Sequence, residues 1–173
     1  MKRMLVALGL AATFAACGSD STTAPSNNQN VAVSTVNMLA SNEVPPTAGA
    51  EADARGTATI TFNLTRDGSG NLTSANATFD VTMSGFPSTS VINIAHIHPG
   101  AAGANGGVLV STTLAPGQVT LNSNGSAQFT KTNISVTVTD AQAIMANPSG
   151  YYFNVHTAAN PTGAIRGQLT RTQ

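Results

Sequence analysis

Between residues 57 and 64 apolar and polar side chains alternate strictly, with Ala58, Ile60, Phe62 and Leu64 set against Thr57, Thr59, Thr61 and Asn63. A period of two places the four apolar residues on one face and predicts a half-buried β-strand. Residues 77–84 repeat the pattern with Ala77, Phe79, Val81 and Met83. Between the two runs lies Arg66-Asp67-Gly68-Ser69-Gly70-Asn71, whose glycines can take the positive φ of a tight reversal, so the pair reads as a β-hairpin. Further strands are predicted near 31–40, 90–98, 107–114, 126–138, 150–157 and 164–171, where threonine and valine suit a pleated surface better than a helix. One helix is predicted near 139–147: Thr139-Asp140-Ala141-Gln142 reads as a capping box, Ala143, Ile144 and Met145 follow, and Asn147-Pro148 stops it. About eight short strands punctuated by glycine and proline define an all-β fold class, an antiparallel Greek-key-like β-sandwich. The pattern leaves a folded sandwich and a closed barrel equally open.

The start of the chain departs from this pattern. Lys2 and Arg3 precede an apolar run from Met4 to about Ala16, which is too short for a bilayer span of about 20 residues and reads as a secretory signal peptide, residues 1–16. The run ends in Phe14-Ala15-Ala16-Cys17-Gly18, and Cys17 is the only cysteine. Small residues directly before a cysteine and glycine after it resemble the lipobox of bacterial lipoproteins. That resemblance makes Cys17 a lipid anchor, and the expected location is a bacterial membrane, on its periplasmic or surface side. A lone cysteine also rules out an internal disulfide. Residues 17–30 contain almost nothing apolar and are expected to tether the anchor to a single domain at 31–173.

Charge narrows the partners. Without Lys2 and Arg3 the chain keeps Arg55, Arg66, Lys131, Arg166 and Arg171 against Asp20, Glu43, Glu51, Asp53, Asp67, Asp80 and Asp140, a slight acidic excess. No basic stripe is available to neutralise phosphates, which argues against a nucleic-acid partner.

Candidate chemistry is concentrated in two segments that hold all three histidines, Ala95-His96-Ile97-His98 and Asn154-Val155-His156-Thr157. His96 and His98 are two residues apart, so an extended chain sets both rings on one side. In 151–156 the odd positions Tyr151, Phe153 and Val155 form the apolar face, which turns Asn154 and His156 the other way and out of the main core. Imidazole is the commonest metal-binding side chain and suits copper or zinc. A shared ion requires ring nitrogens within about 3 to 4 Å of one another, whereas a structural role would cap the rings with backbone carbonyls. Arg166 has two readings as well: it holds the loop after His156, or it presents its planar fork to an anion beside the histidines.

These segments match a known pattern. Ser41-Asn42-Glu43-Val44-Pro45-Pro46, Ala95-His96-Ile97-His98, and Asn154-Val155-His156-Thr157 followed by Asn160-Pro161 and Gly163-Ala164-Ile165-Arg166-Gly167-Gln168-Leu169 resemble the CHRD domain over residues 35–171. That family is named for repeats in the animal protein chordin, an extracellular antagonist of growth factors, and also occurs alone in bacterial exported proteins. The residues that carry the resemblance include Glu43, Pro45, Asn154, Thr157, Pro161, Gly163 and Gly167. Two departures stand out: His98-Pro99-Gly100-Ala101 replaces the family's His-Gly-Pro-Ala, and Ala164 replaces a glutamate. Glu43 is then the acid left to pair with Arg166 or join a site, its alternative being an exposed strand end before the Pro-Pro break. A looser resemblance, to the copper/zinc superoxide dismutase sandwich, rests on the order His96, His98, His156 and Arg166. It lacks that family's fourth copper-ligand histidine, its zinc ligands and its disulfide.

Two functions follow as expectations. The first is a membrane-anchored envelope lipoprotein that acts as a non-enzymatic binding module for a protein or glycan. The second is an envelope metal protein holding copper or zinc on His96, His98 and His156, with Arg166 steering an anion.

Overall fold

A computed structural model describes residues 30–173. The expected signal peptide, Cys17 and all of the expected tether but Asn30 lie outside the described residues.

The strands are β1 (Val31–Leu39), β2 (Arg55–Arg66), β3 (Leu72–Ser84), β4 (Ile92–Pro99), β5 (Val110–Ser111), β6 (Ala127–Val136), β7 (Tyr151–Thr157), β8 (Ile165–Gln168) and β9 (Thr170–Arg171). They form one sheet in the order β5-β4-β7-β8-β1-β2-β3-β6, with β9 also on β1. Every pairing is antiparallel. The sheet folds over at β1, so that β4, β7 and β8 face β2, β3 and β6. Phe79 of β3 stacks on Phe153 of β7 at 5.5 Å between centroids, although their strands are far apart in the sheet order. No ladder joins the edge strands β5 and β6 among the described residues, which makes the fold a curled sandwich and not a closed barrel.

The core follows from the alternation in the sequence. Ala58, Ile60, Phe62 and Leu64 are buried on β2, and Ala77, Phe79, Val81 and Met83 on β3. The two strands pair in register, Ile60 opposite Phe79. Their turn is closed by Asp67, whose carboxylate accepts hydrogen bonds from the Ser69 and Asn71 amides.

Three elements differ from the sequence pattern. The single α-helix among the described residues, α1, runs Val138–Ala146 and is capped by Thr137, not Thr139. Thr137 Oγ1 accepts from the Asp140 amide and donates to Asp140 Oδ2, so the reciprocal cap sits two residues earlier than Thr139-x-x-Gln142 suggests. The predicted strand at 107–114 shrinks to two residues because its neighbours belong to loops. The last strand breaks at Leu169 into β8, which lies between β7 and β1, and β9, which pairs with β1 alone.

Candidate functional site

β4, β7 and β8 lie side by side, and register fixes which side chains meet. His96 is opposite Asn154, which is opposite Arg166; His98 is opposite Tyr152; Ile94 is opposite His156. These residues share the face turned away from the Phe153 side, as parity predicts for His156. The face is nevertheless buried. His96, His98 and His156 are 8, 6 and 6% exposed, and Asn154 and Arg166 are 1% exposed. The cover comes from two loops, residues 40–54 and 100–109, which leave the ends of β1 and β4. No hydrophobic period in the sequence marks this second, polar interior.

The three imidazoles converge. One ligand atom from each lies within 4.8 Å of the others, and His96 Nδ1 is 3.4 Å from His156 Nε2. Their far sides are fixed. His98 Nδ1–H donates to the Gly106 carbonyl at 3.0 Å, and His156 Nδ1–H donates to the Pro161 carbonyl at 2.9 Å. A neutral imidazole protonated at Nδ1 carries its lone pair on Nε2, so both rings present an unprotonated Nε2 to the centre. The expected contrast between converging ligands and carbonyl-capped rings therefore resolves as both at once: two caps hold the outer nitrogens, while of the inner ones His98 Nε2 has no partner and His156 Nε2 lies against His96 Nδ1 and the Asn154 amide. The widest separations exceed the roughly 3.3 Å between donors bonded at about 2.0 Å to one tetrahedral ion, so holding an ion requires the rings to close in by about 1 Å.

Electrostatics keep the centre neutral. Burial above all, then the His156 and His98 rings, pushes His96 down from 6.5 to about 4. His156 is lowered by burial, partly countered by the Pro161 carbonyl, and lowered further by His98. Asn154 joins the imidazoles to the next group. Its Oδ1 position is 3.0 Å from His156 Nε2, and its side chain also hydrogen-bonds Glu43.

Glu43 is buried at 5% exposure, which corrects the reading of it as an exposed strand end. It sits just past the 3-10 turn Ala40–Asn42. Its carboxylate lies 3.9 Å from Arg166 Nε, too far for a hydrogen bond, and burial outweighs both the guanidinium and the Asn154 bond to raise Glu43 to about 7. Pro45, which follows a cis peptide bond, is exposed.

Arg166 holds loops, but not the one after His156. Nε donates to the Asn42 carbonyl at 2.6 Å; Nη1 donates to Asn105 Oδ1 at 2.8 Å and the Ala104 carbonyl at 3.3 Å. The guanidinium lies 4.5 Å from the centre of the Tyr152 ring, which also stacks on His98 at 4.9 Å. Three buried side-chain atoms have no hydrogen-bond partner among the described residues: Glu43 Oε1, His98 Nε2 and Arg166 Nη2. All three belong to this one pocket.

The turn after β7 is held by a residue that the sequence did not single out. Glu51, 2% exposed, accepts hydrogen bonds from Thr157 Oγ1, Asn160 Nδ2 and Ser90 Oγ. This clamp orients Pro161, whose carbonyl caps His156. Two glycines serve close approach: at Gly163, with φ +139°, a Cβ would stand 2.6 Å from both Glu43 oxygens, and at Gly167 it would stand 2.0 Å from the Asn37 carbonyl of β1. Tyr152 was also missed, although its parity with Asn154 and His156 places it on the histidine face.

The fold and pocket thus define an antiparallel β-sandwich with a buried imidazole cluster under two loops. The family model described as the CHRD domain matches residues 34–169, and the chain belongs to that family. No curated protein and no solved structure matches it.

Proposed function

We propose that this protein is a CHRD binding module of the bacterial cell envelope, anchored through lipidated Cys17, whose pocket holds a copper or zinc ion on His96, His98 and His156. The observation that carries this reading is the pair of carbonyl caps on the outer nitrogens, which leaves His98 Nε2 buried without a partner and directs it, with His156 Nε2, toward His96. An empty structural cluster would leave such a lone pair uncompensated at a cost of about 1 to 3 kcal/mol, whereas a bound cation uses it. The ion, when bound, supplies Lewis acidity or a redox couple; the protein's own residues bind it, set the ring tautomers and exclude water. The module works by holding its ligand and not by turnover.

Copper and zinc titration of the full chain tests the reading, beside a variant with the three histidines changed to alanine whose folding is checked by circular dichroism. One equivalent bound at micromolar affinity or better, and lost in a folded variant, supports it. A folded wild-type chain that binds neither metal rejects it. For the anchor, mass spectrometry of the mature N-terminus should find diacylglycerol on Cys17, and Cys17→Ser should release the protein from membranes.

A second reading, capture of an envelope protein or glycan, is favoured by a surface cavity of about 410 Å³ beside the covering loops, lined by residues that include Asn42, Glu43, Val44, Gly103 and Gln168.

A further inference from the structure

We propose that the pocket takes monovalent copper in preference to divalent copper or zinc. The inference rests on the metal-binding reading above and concerns only the charge of the ion.

Every donor in the cluster is a neutral imidazole, and among the described residues no Asp, Glu or Cys joins it. The groups behind the ligands are neutral too: the Gly106 and Pro161 carbonyls and the Asn154 amide. The nearest charged side chains in these contacts are Glu43, reached through Asn154, and Arg166, reached through Tyr152. They stand 3.9 Å apart, and neither is among the ligands. An ion in this pocket therefore meets almost no compensating negative charge.

Burial turns that into selectivity. The three ligands are 6 to 8% exposed, so the ion must shed most of its water. The cost of moving a charge from water into a weakly polarisable interior grows with the square of that charge, making it roughly four times greater for a divalent than for a monovalent ion of similar size. Divalent zinc would also need a fourth ligand, commonly an anion or water, to complete its tetrahedron. A monovalent d10 ion is satisfied by three donors and imposes little angular preference, which suits rings that meet at 69° and 82°. Imidazole serves copper well in either oxidation state, so charge and coordination number decide.

The test uses the full chain carrying Cys17→Ser, so that no thiol competes for copper. Anaerobic competition against a copper(I) chelator gives one Kd, and spectroscopic titration with copper(II) and zinc gives the others. The expected result is one copper(I) per chain, bound at least a hundredfold more tightly than copper(II), which corresponds to raising the copper couple by about 120 mV relative to copper in water. Ile94→Glu supplies the missing counter-charge, because Ile94 is opposite His156 and only partly buried. It should shrink the copper(I)/copper(II) ratio at least tenfold. Copper(II) or zinc bound as tightly as copper(I) by the chain with Ile94 intact overturns the proposal while leaving a metal site in place. Binding of no ion at all overturns the metal reading itself. The comparison of ions on the chain with Ile94 intact decides the matter even if Ile94→Glu does not fold.

Discussion

Gly163 and Glu43 occupy one space: a single added methyl at residue 163 would stand 2.6 Å from both carboxylate oxygens. The contact joins the motif around Glu43, near the start of the domain, to the one around Arg166, near its end, across 120 residues of chain. Gly163→Ala should therefore lower unfolding free energy by about 2 kcal/mol or more, through the clash and the positive φ together. Urea unfolding of Gly163→Ala, Glu43→Ala and the double variant checks this. The two effects should combine to less than their sum, because removing the carboxylate relieves the clash.

Two kinds of group in the pocket drive stability in opposite directions with pH. His96 titrates near 4 when folded against 6.5 unfolded, so between these values the unfolded chain binds the extra proton. Its contribution is complete above about 6.5 and is lost as pH falls toward 4, at up to about 1.4 kcal/mol per pH unit. His156, also lowered, has the same sign. Glu43, raised from 4.5 to about 7, takes its proton more readily in the fold, so its contribution is present below about 4.5 and is lost as pH rises through 7. The slopes partly cancel in the native protein. Glu43→Gln should steepen the loss of stability between pH 6.5 and 4.5, as read from denaturant midpoints; an unchanged slope would mean that Glu43 is not protonated in the fold.

Glu51→Ala removes the acceptor of three hydrogen bonds from Ser90, Thr157 and Asn160. A loss of about 3 kcal/mol is expected, in line with unpaired buried donors. Because the same clamp orients Pro161 behind His156, copper affinity should also fall at least tenfold in the fraction that remains folded, as measured by chelator competition.

Tyr152→Phe deletes only the hydroxyl that accepts from the Gly106 amide at 3.2 Å, and should cost about 1 kcal/mol. Tyr152→Leu also removes the ring between His98 and Arg166 and should cost at least twice as much. Equal losses in thermal unfolding would show that the stacked ring contributes nothing.

Thr137→Ala should cost about 1 kcal/mol by uncapping α1 and leave metal affinity unchanged, since Thr137 has no contact with the pocket.

The strands were legible because one face of β2 and β3 meets the core and the other meets solvent, so Ile60 and Thr61 differ as the alternation requires. The polar pocket was only half legible. Parity set His96 and His98 on one side of their strand and turned His156 away from the main core, but the register that joins them and the burial of that face depend on β4–β7 pairing and on loops 40–54 and 100–109, where Glu51, Asn105 and Gly106 follow no period. Apart from the Gly106 cap on His98, eight residues away, their roles come from contacts across 39 to 109 residues of sequence, and a linear pattern carries no such distances. The helix cap was displaced for a local reason: Thr137 and Thr139 are both competent caps, and Asp140 at the right spacing favours the earlier one.

β1 enters the described fold at Val31 and reaches the histidine row at Leu39, which is opposite Arg166. Eight steps at about 3.3 Å put roughly 26 Å between these ends. The C-terminal residues run alongside the near end, with Val33 donating to the Gln173 carbonyl. The two ends of the described fold thus lie together at the start of β1, and loop 40–54 leaves its other end, beside the pocket. An anchor at Cys17, as proposed above, would therefore join the fold at the end of β1 away from loop 40–54, and leave that part of the pocket's cover clear of the membrane.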